Sequence, residues 1–229
     1  REAVAAMVTE LLPREEGGEG AEGKPEEEGK KGSMIDWSTE THAKGGLVAY
    51  FQLGGSFPIG GGVNDEYVES GIRVGTHIGW QLKLGDRHGL TPEIALLYSE
   101  WNFKEGTLVS GPYGPVEIEG DASMLNLLGG LRYTICLGPI EPFLAAHFGL
   151  GYVAEVIKDK NNPGNKFDDD RTGFAFNVEL GGHFMFLRYL GGGLVFDIAK
   201  GFVDKMDGGE EYDALGFSVA LSIKGKLPL

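Results

Sequence analysis

The chain has a single cysteine, Cys136, among 229 residues. An internal disulfide framework is therefore excluded, and compartment is left open. It also lacks any apolar run of about 18 residues, the length a helical membrane span requires. Basic residues are scarce as well: 20 Lys and Arg stand against 34 Asp and Glu, giving a formal charge of −14 and a pI of about 4.8. That balance argues against nucleic acid as a partner and against a basic patch that seeks anionic lipid. The chain opens on Arg1 with no secretory leader, so a mature or trimmed chain is expected.

What the sequence has in abundance is alternation. From Ile72 to Leu84 every even position is apolar or Thr, while the odd positions hold Arg73, Gly75, His77, Gly79, Gln81 and Lys83. This two-residue period is that of a strand with one apolar and one wet face, and it is too long for a hairpin of a small soluble domain. The same pattern recurs. Leu47, Ala49, Phe51, Leu53, Phe57 and Ile59 form one such face, and Leu90, Ile94, Leu96 and Tyr98 another. Further faces are Leu125 to Ile135, Leu144 to Tyr152, Phe174 to Phe186, Leu194 to Phe202 and Leu215 to Ile223. Near Trp101 and Phe103 the phase slips, which predicts a bulge. These runs make eight strands. The mean hydropathy of −0.12 conceals them, because alternation averages the apolar half away.

The connections alternate too. Gly85 to Gly89, the stretch around Leu137 to Pro139, and Leu187 to Gly191 are hairpin-sized. The segments 60–69, 104–121, 157–172 and 203–213 are longer or more polar and are expected as loops. Short turns at one end and long loops at the other is the asymmetry of an up-and-down transmembrane barrel with both termini on the short-turn side. Strand direction then places Trp80, Tyr133, Phe184 and Phe186 late in strands that run toward the turns. Tyr98, Trp101, Tyr152 and Phe202 fall late in strands that run toward the loops, so two aromatic girdles are expected. The fold class is all-β: an eight-stranded antiparallel barrel over 45–229.

Eight strands enclose a space that side chains fill. Gly75, Gly79, Gly130, Gly149, Gly151 and Gly181 would make room for a polar lumen network of Arg73, His77, Lys83, Glu93, Arg132, Glu141, His147, Glu155, Glu179, His183 and Asp197. Buried charges persist only when paired, so a plugged lumen crossed by ion pairs is expected, with no open channel. The three histidines lie on this polar face, where hydrogen-bonded lumen residues are the plainer reading, and no catalytic residues are assigned. Among the acidic segments, Asp168, Asp169 and Asp170, with Asp159 and Asn161, are weak candidates for Ca²⁺, as are Asp204, Asp207, Glu210, Glu211 and Asp213. Neither group matches a twelve-residue calcium loop. No cofactor is expected beyond divalent cations at such loops.

Residues 1–44 are different material. Val4, Met7, Val8, Leu11 and Leu12 have helix-compatible spacing that stops at Pro13, and 14–32 are Glu, Gly and Lys with little else, a flexible acidic linker. The short helix reads either as a frayed tail or precursor remnant or as a docking element for a periplasmic partner.

On the alternating strands, and notably on Pro142-Phe143-Leu144-Ala145-Ala146-His147-Phe148-Gly149-Leu150-Gly151-Tyr152, residues 45–229 resemble the small outer-membrane β-barrels of Gram-negative bacteria in the style of the OmpA, OmpX and OmpW barrels. Gly216, Val219 and Leu221 match part of that family's C-terminal pattern. The resemblance implies the bacterial outer membrane, periplasmic termini, extracellular loops and contact with lipid and lipopolysaccharide. It transfers no activity, because these barrels share architecture and not a site. Three functions are weighed: a non-enzymatic structural or interaction protein that anchors an envelope complex; a narrow transporter of small hydrophobic molecules; and a soluble lipocalin-like barrel with its apolar face inward.

Overall fold

The structure, a computed structural model, describes residues 45–61, 68–111, 114–203 and 212–228. The expected extension over 1–44, with Val4, Met7, Val8, Leu11 and Leu12, lies outside the described residues, as do 204–211 with their acidic side chains. Nine strands are described: β1 Gly46–Gly61, β2 Gly71–Lys83, β3 His88–Asn102, β4 Leu108–Gly111, β5 Gly114–Ile135, β6 Ile140–Asp159, β7 Asn162–Leu187, β8 Leu190–Val203 and β9 Tyr212–Pro228. Eight of them close a ring. Each pairs antiparallel with its sequence neighbour, β3 pairs directly with β5, and β1 pairs with β9 from Gly46↔Pro228 onward. Closure removes the sheet edges that would otherwise expose unpaired backbone groups.

The short connections sit where expected. Gly85 (φ 80°) and Gly138 (φ 68°) occupy left-handed positions in the β2–β3 and β5–β6 turns, a conformation that costs glycine nothing. Arg188 and Tyr189 turn β7 into β8.

Two of the expected loops are strands instead. The 157–172 segment is a continuous hairpin: β6 and β7 stay paired from Ile140↔Phe184 out to Lys158↔Lys166, with the turn at Lys160 and Asn161. Within 104–121, β4 folds back on the start of β5, Leu108↔Glu117 through Gly111↔Gly114. Both faces of these extensions are polar or mixed, so the apolar alternation that marks a strand below fades while the backbone ladder continues.

The bulge expected near Trp101 is absent. β3 stays in register with β5 without a break, from His88↔Ile135 to Asn102↔Asp121. Trp101 faces inward, in phase with Ser99 and Leu97, and is 1% exposed. It is therefore not a girdle residue. Its Nε1 donates to Ser56 Oγ at 3.1 Å, and it packs with Val68, Ala122, Met124, Val153, Ala199 and Ala214 as an apolar stopper at the loop end of the lumen.

The lumen as candidate functional site

The outer face decides what medium surrounds the barrel. Ile78 is 61% exposed, Leu96 47% and Leu180 59%, whereas Arg73 and Arg132 are wholly buried. Outward Leu, Ile, Phe and Val continue around the ring. Monomers in water rarely expose contiguous apolar patches beyond a few hundred Å², and side chains of this size each gain about 1.5–3 kcal/mol on leaving water. The outward face is a lipid-facing surface, and the chain is a transmembrane β-barrel of the outer-membrane type. This corrects the lipocalin-like alternative, which requires the apolar face to line the interior.

Rings mark both margins of the belt. Trp80, Tyr133, Phe184 and Phe186 are exposed toward the turn end, and Tyr152 and Phe202 toward the loop end, where Tyr98 is partly exposed. The loop-end tyrosines use their hydroxyls as interfacial rings do. Tyr98 donates to Glu100 at 2.7 Å and Tyr152 to Asp170 at 3.4 Å.

Inside, β2, β3, β5, β6, β7 and β8 bring nine of the expected lumen residues into burial: Arg73, His77, Glu93, Arg132, Glu141, His147, Glu179, His183 and Asp197. Arg132 is the hub. Its Nε and Nη2 donate to Glu93 at 2.9–3.1 Å, and Nη2 also donates to Glu179 at 2.9 Å. The guanidinium lies 4.3 Å from the Tyr50 ring centre and 4.2 Å from that of Phe143, so two aromatic rings pack against the cation. His147 Nε2 approaches Glu93 Oε1 at 2.6 Å, and His77 lies 3.3 Å from both Glu93 and Glu179. Arg73 pairs with Asp197 at 2.9 Å; Asn177 donates to Asp197 at 3.0 Å and meets His147 at 3.3 Å. Toward the turns, Lys224 pairs with Glu141, and His183 Nε2 lies 3.0 Å from Ser222 Oγ with Phe143 stacked on its ring.

Glycine makes this crowding possible. A Cβ at Gly79 would lie 2.7 Å from Glu93 Cβ, and one at Gly130 would lie 2.4 Å from His147 Cδ2 and 2.3 Å from the Ala146 carbonyl oxygen.

Two expected members stand apart. Lys83, at the end of β2, is outside the lumen with its side chain 45% exposed, and pairs with Asp86 in the turn at 3.5 Å. Alternation stops mattering where a strand runs out into water. Glu155 is half-buried opposite Asp169, beyond the stopper. The lumen also holds residues beyond the expected network: Tyr50, Gln52, Phe143, Asn177, Lys224 and Lys226. For the two lysines a signal was present, because the β9 alternation runs on past Ile223 through Lys224, Gly225, Lys226 and Leu227.

His77, Glu93 and His147 each offer one ligand atom within 4.8 Å of the others. Ligands at 2.0–2.1 Å around a tetrahedral ion stand about 3.3 Å apart. The 2.6 Å separation of His147 Nε2 from Glu93 Oε1 is too short for that, and Arg132 occupies the same oxygen. The geometry is that of an ion-paired network and not of a preformed metal centre. Asp168, Asp169 and Asp170 are not brought together either. They lie in β7, so 169 points opposite to 168 and 170; Asp168 pairs with Lys166, Asp169 with Arg171, and Asp170 accepts from Tyr152.

No family model and no curated protein matches the chain. Solved structures that resemble it include Neisserial surface protein A, at 11% identity over 79% of this chain and 96% of that one, with a TM-score of 0.43. The outer membrane protein OprG from Pseudomonas aeruginosa is 14% identical over 81% and 98%, with a TM-score of 0.42. The outer membrane protease OmpT from Escherichia coli is 7% identical over 80% and 95%, with a TM-score of 0.44. These values are low, and the transmembrane assignment stands on the barrel's own surfaces.

Proposed function

We propose that this protein is a non-enzymatic outer-membrane barrel with a structural or interaction role, a subunit or anchor of an envelope complex. One observation carries the reading: a lipid-facing cylinder whose bore is filled twice over, by the Arg132–Glu93–Glu179 network and, toward the loop end, by the Trp101 stopper. Such a body conducts nothing and presents what projects from it. In this reading the loops and the β4–β5 and β6–β7 hairpins face outside, and both termini face the periplasm. Residues 1–44 offer the contact to a periplasmic or envelope partner. Outward Glu100, Asp121, Asp168 and Asp170, just beyond the loop-end girdle, meet lipopolysaccharide phosphates through divalent cations. Nucleic acid has no place in it.

The test is conductance. Purified protein reconstituted in planar bilayers should show no steady single-channel current, and liposomes that contain it should not swell in small sugars. A steady conductance, or uptake of small apolar solutes, would overturn the closed bore in favour of the narrow transporter.

A further inference from the structure

Beyond the stopper lies a cleft that belongs neither to the bore nor to the lipid face. It sits where the β3–β4 turn, the start of β5 and the β6–β7 turn meet, and its volume is about 250 Å³. Six side chains line it: Phe103 and Ile118, Lys104 and Lys160, Glu105 and Glu119. Phe103 packs on the stopper cluster and follows directly on β3, whose outward side chains have by then changed from Tyr98 to Glu100 and Asn102. The cleft therefore stands in water.

Hydrogen bonds fix its frame. Phe103 N–H donates to the Gly120 carbonyl at 3.0 Å, Ile118 N–H to that of Thr107 at 2.9 Å and Lys160 N–H to that of Glu117 at 3.0 Å, while the Thr107 hydroxyl closes the turn on the Lys104 carbonyl at 2.7 Å. Two glycines are needed. Gly106 has φ 78°, in the left-handed region, and a Cβ at Gly120 would lie 1.8 Å from the Val156 carbonyl oxygen and push β5 off β6.

The lining narrows the ligand. Ile118 is buried and Phe103 half-buried, which gives the cleft an apolar part, and its charges balance as two ammonium groups against two carboxylates. Lys160 donates to Glu117 at 2.7 Å and lies 3.9 Å from Glu105. The bond to Glu117, with Glu105 and Glu119 nearby, raises this ammonium above the usual lysine value, so it stays charged and keeps further N–H donors to offer. A simple anion would meet Glu105 and Glu119, a simple cation would meet Lys104 and Lys160, and a neutral molecule would match neither set. A solute that carries both charges on one short apolar body is complementary to all of it. Its size follows from the volume, since about 30 Å³ per water leaves room for about eight waters or a solute of roughly that many heavy atoms.

We infer that this cleft binds a small zwitterion of the α-amino-acid class, with its carboxylate on Lys104 and Lys160, its ammonium on Glu105 and Glu119, and its side chain against Phe103 and Ile118. The site is outside the bore, so it goes beyond the closed-bore reading and does not depend on it.

The experiment uses the full chain folded in detergent micelles, with folding checked by heat-modifiable gel mobility. Isoleucine methyl groups carry carbon-13, the Ile118 signal is identified with Ile118→Val, and the probe is free L-leucine. Leucine should shift the Ile118 signal saturably. Leucinamide, which lacks the carboxylate, and N-acetyl-leucine, which lacks the ammonium, should each bind at least about 10-fold more weakly, as the loss of one charge-assisted hydrogen bond implies. Lys160→Met and Glu119→Gln should weaken leucine by a similar factor, and Lys166→Met, outside the cleft, should leave it unchanged. No saturable shift with leucine would overturn the inference. Equal binding of leucinamide or N-acetyl-leucine would do so too, by making the cleft a site for one sign of charge, and so would a preference for phosphoethanolamine, by making it a seat for a lipid headgroup. A conducting bore would sink the closed-bore reading and leave this site standing.

Discussion

Replacing Leu127 by Arg tests the assignment of faces at its most sensitive point. Leu127 is 55% exposed on the outer face of β5, in register with Leu96 on β3 and Leu150 on β6, so its surroundings are outward aliphatics. It stands six residues from Tyr133 of the turn-end girdle; a rise of about 3.3 Å per residue and a tilt of about 40° put it about 15 Å above that girdle. In an apolar band about 25 Å tall, this is within a few Å of the midplane, where a cationic side chain costs about 2–4 kcal/mol. The same substitution at Leu137, in the β5–β6 turn, should cost about 0–1 kcal/mol because it reaches headgroups and water. The assay is urea unfolding in phospholipid vesicles, followed by tryptophan fluorescence, with refolding traces to establish reversibility. A Leu127→Arg variant as stable in vesicles as the parent would refute the lipid-facing assignment. In an aqueous barrel an Arg on that exposed face should be nearly neutral, as surface substitutions usually are within about 0.5 kcal/mol.

Other expectations follow from the interior. Glu93→Gln leaves Arg132 and His77 with one carboxylate, Glu179, and His147 with none; removing one member of a buried pair should cost about 3–5 kcal/mol, and adding Arg132→Met should recover part of that loss in a double-mutant cycle. Trp101→Ala empties the stopper and should cost about 3–5 kcal/mol by vesicle unfolding, whereas Trp101→Phe keeps one ring in place and should cost less than that, losing the Ser56 bond, about 0.5–1.5 kcal/mol, and the packing of the second ring. Burial, with Glu141 close by, pushes the Cys136 thiol up to about 11. The thiolate fraction at pH 8 is accordingly small, so iodoacetamide should label the folded chain slowly, faster as pH rises, and rapidly once it is unfolded; equal labelling of folded and unfolded chain at pH 8 would contradict the buried placement.

The strands were legible because period two survives any change of solvent, provided that each face keeps one. From 72 to 82 each outward side chain meets lipid and each inward one meets the bore, so Arg73 and His77 could be placed from the pattern alone. Which carboxylate each cation finds was not legible. Glu179 comes from β7 and reaches Arg132 on β5 over the small Ala145 of β6, 47 positions away in the chain, because the registers of two successive hairpins set Arg132, Ala145 and Glu179 in one row of the sheet. Tyr50 was passed over because an aromatic on a wet face reads as neutral, yet stacking on Arg132 is what it contributes. Lys83 was misplaced because the sequence does not mark where the strand leaves the barrel.

Trp101 shows the deeper reason for such errors, and it locates the loop-end margin of the bilayer. On β3 the outward positions run Ile94, Leu96, Tyr98, Glu100 and Asn102, while the inward ones run Glu93, Ala95, Leu97, Ser99 and Trp101. On β5 the outward side passes from Leu125 to Ser123 and Asp121 while the inward side passes from Asn126 to Met124 and Ala122. Polarity exchanges faces on both strands at the same height, since Tyr98 pairs with Leu125 and Glu100 with Ser123. No residue has been inserted. The outside has changed from hydrocarbon to water, and above that line the barrel is built like a soluble one, apolar within. A slip of phase read as a bulge is thus a change of solvent. Nitroxide side chains on the outer face of β5 should record it: labels at Leu127 and Leu125 should relax more with oxygen than with a water-soluble nickel chelate, and labels at Asp121 and Glu119 the reverse, with the crossing at Ser123. A crossing displaced to Leu131, or oxygen preference that persists at Glu119, would mean that the inversion has another cause and that the stopper sits inside the membrane instead of at its edge.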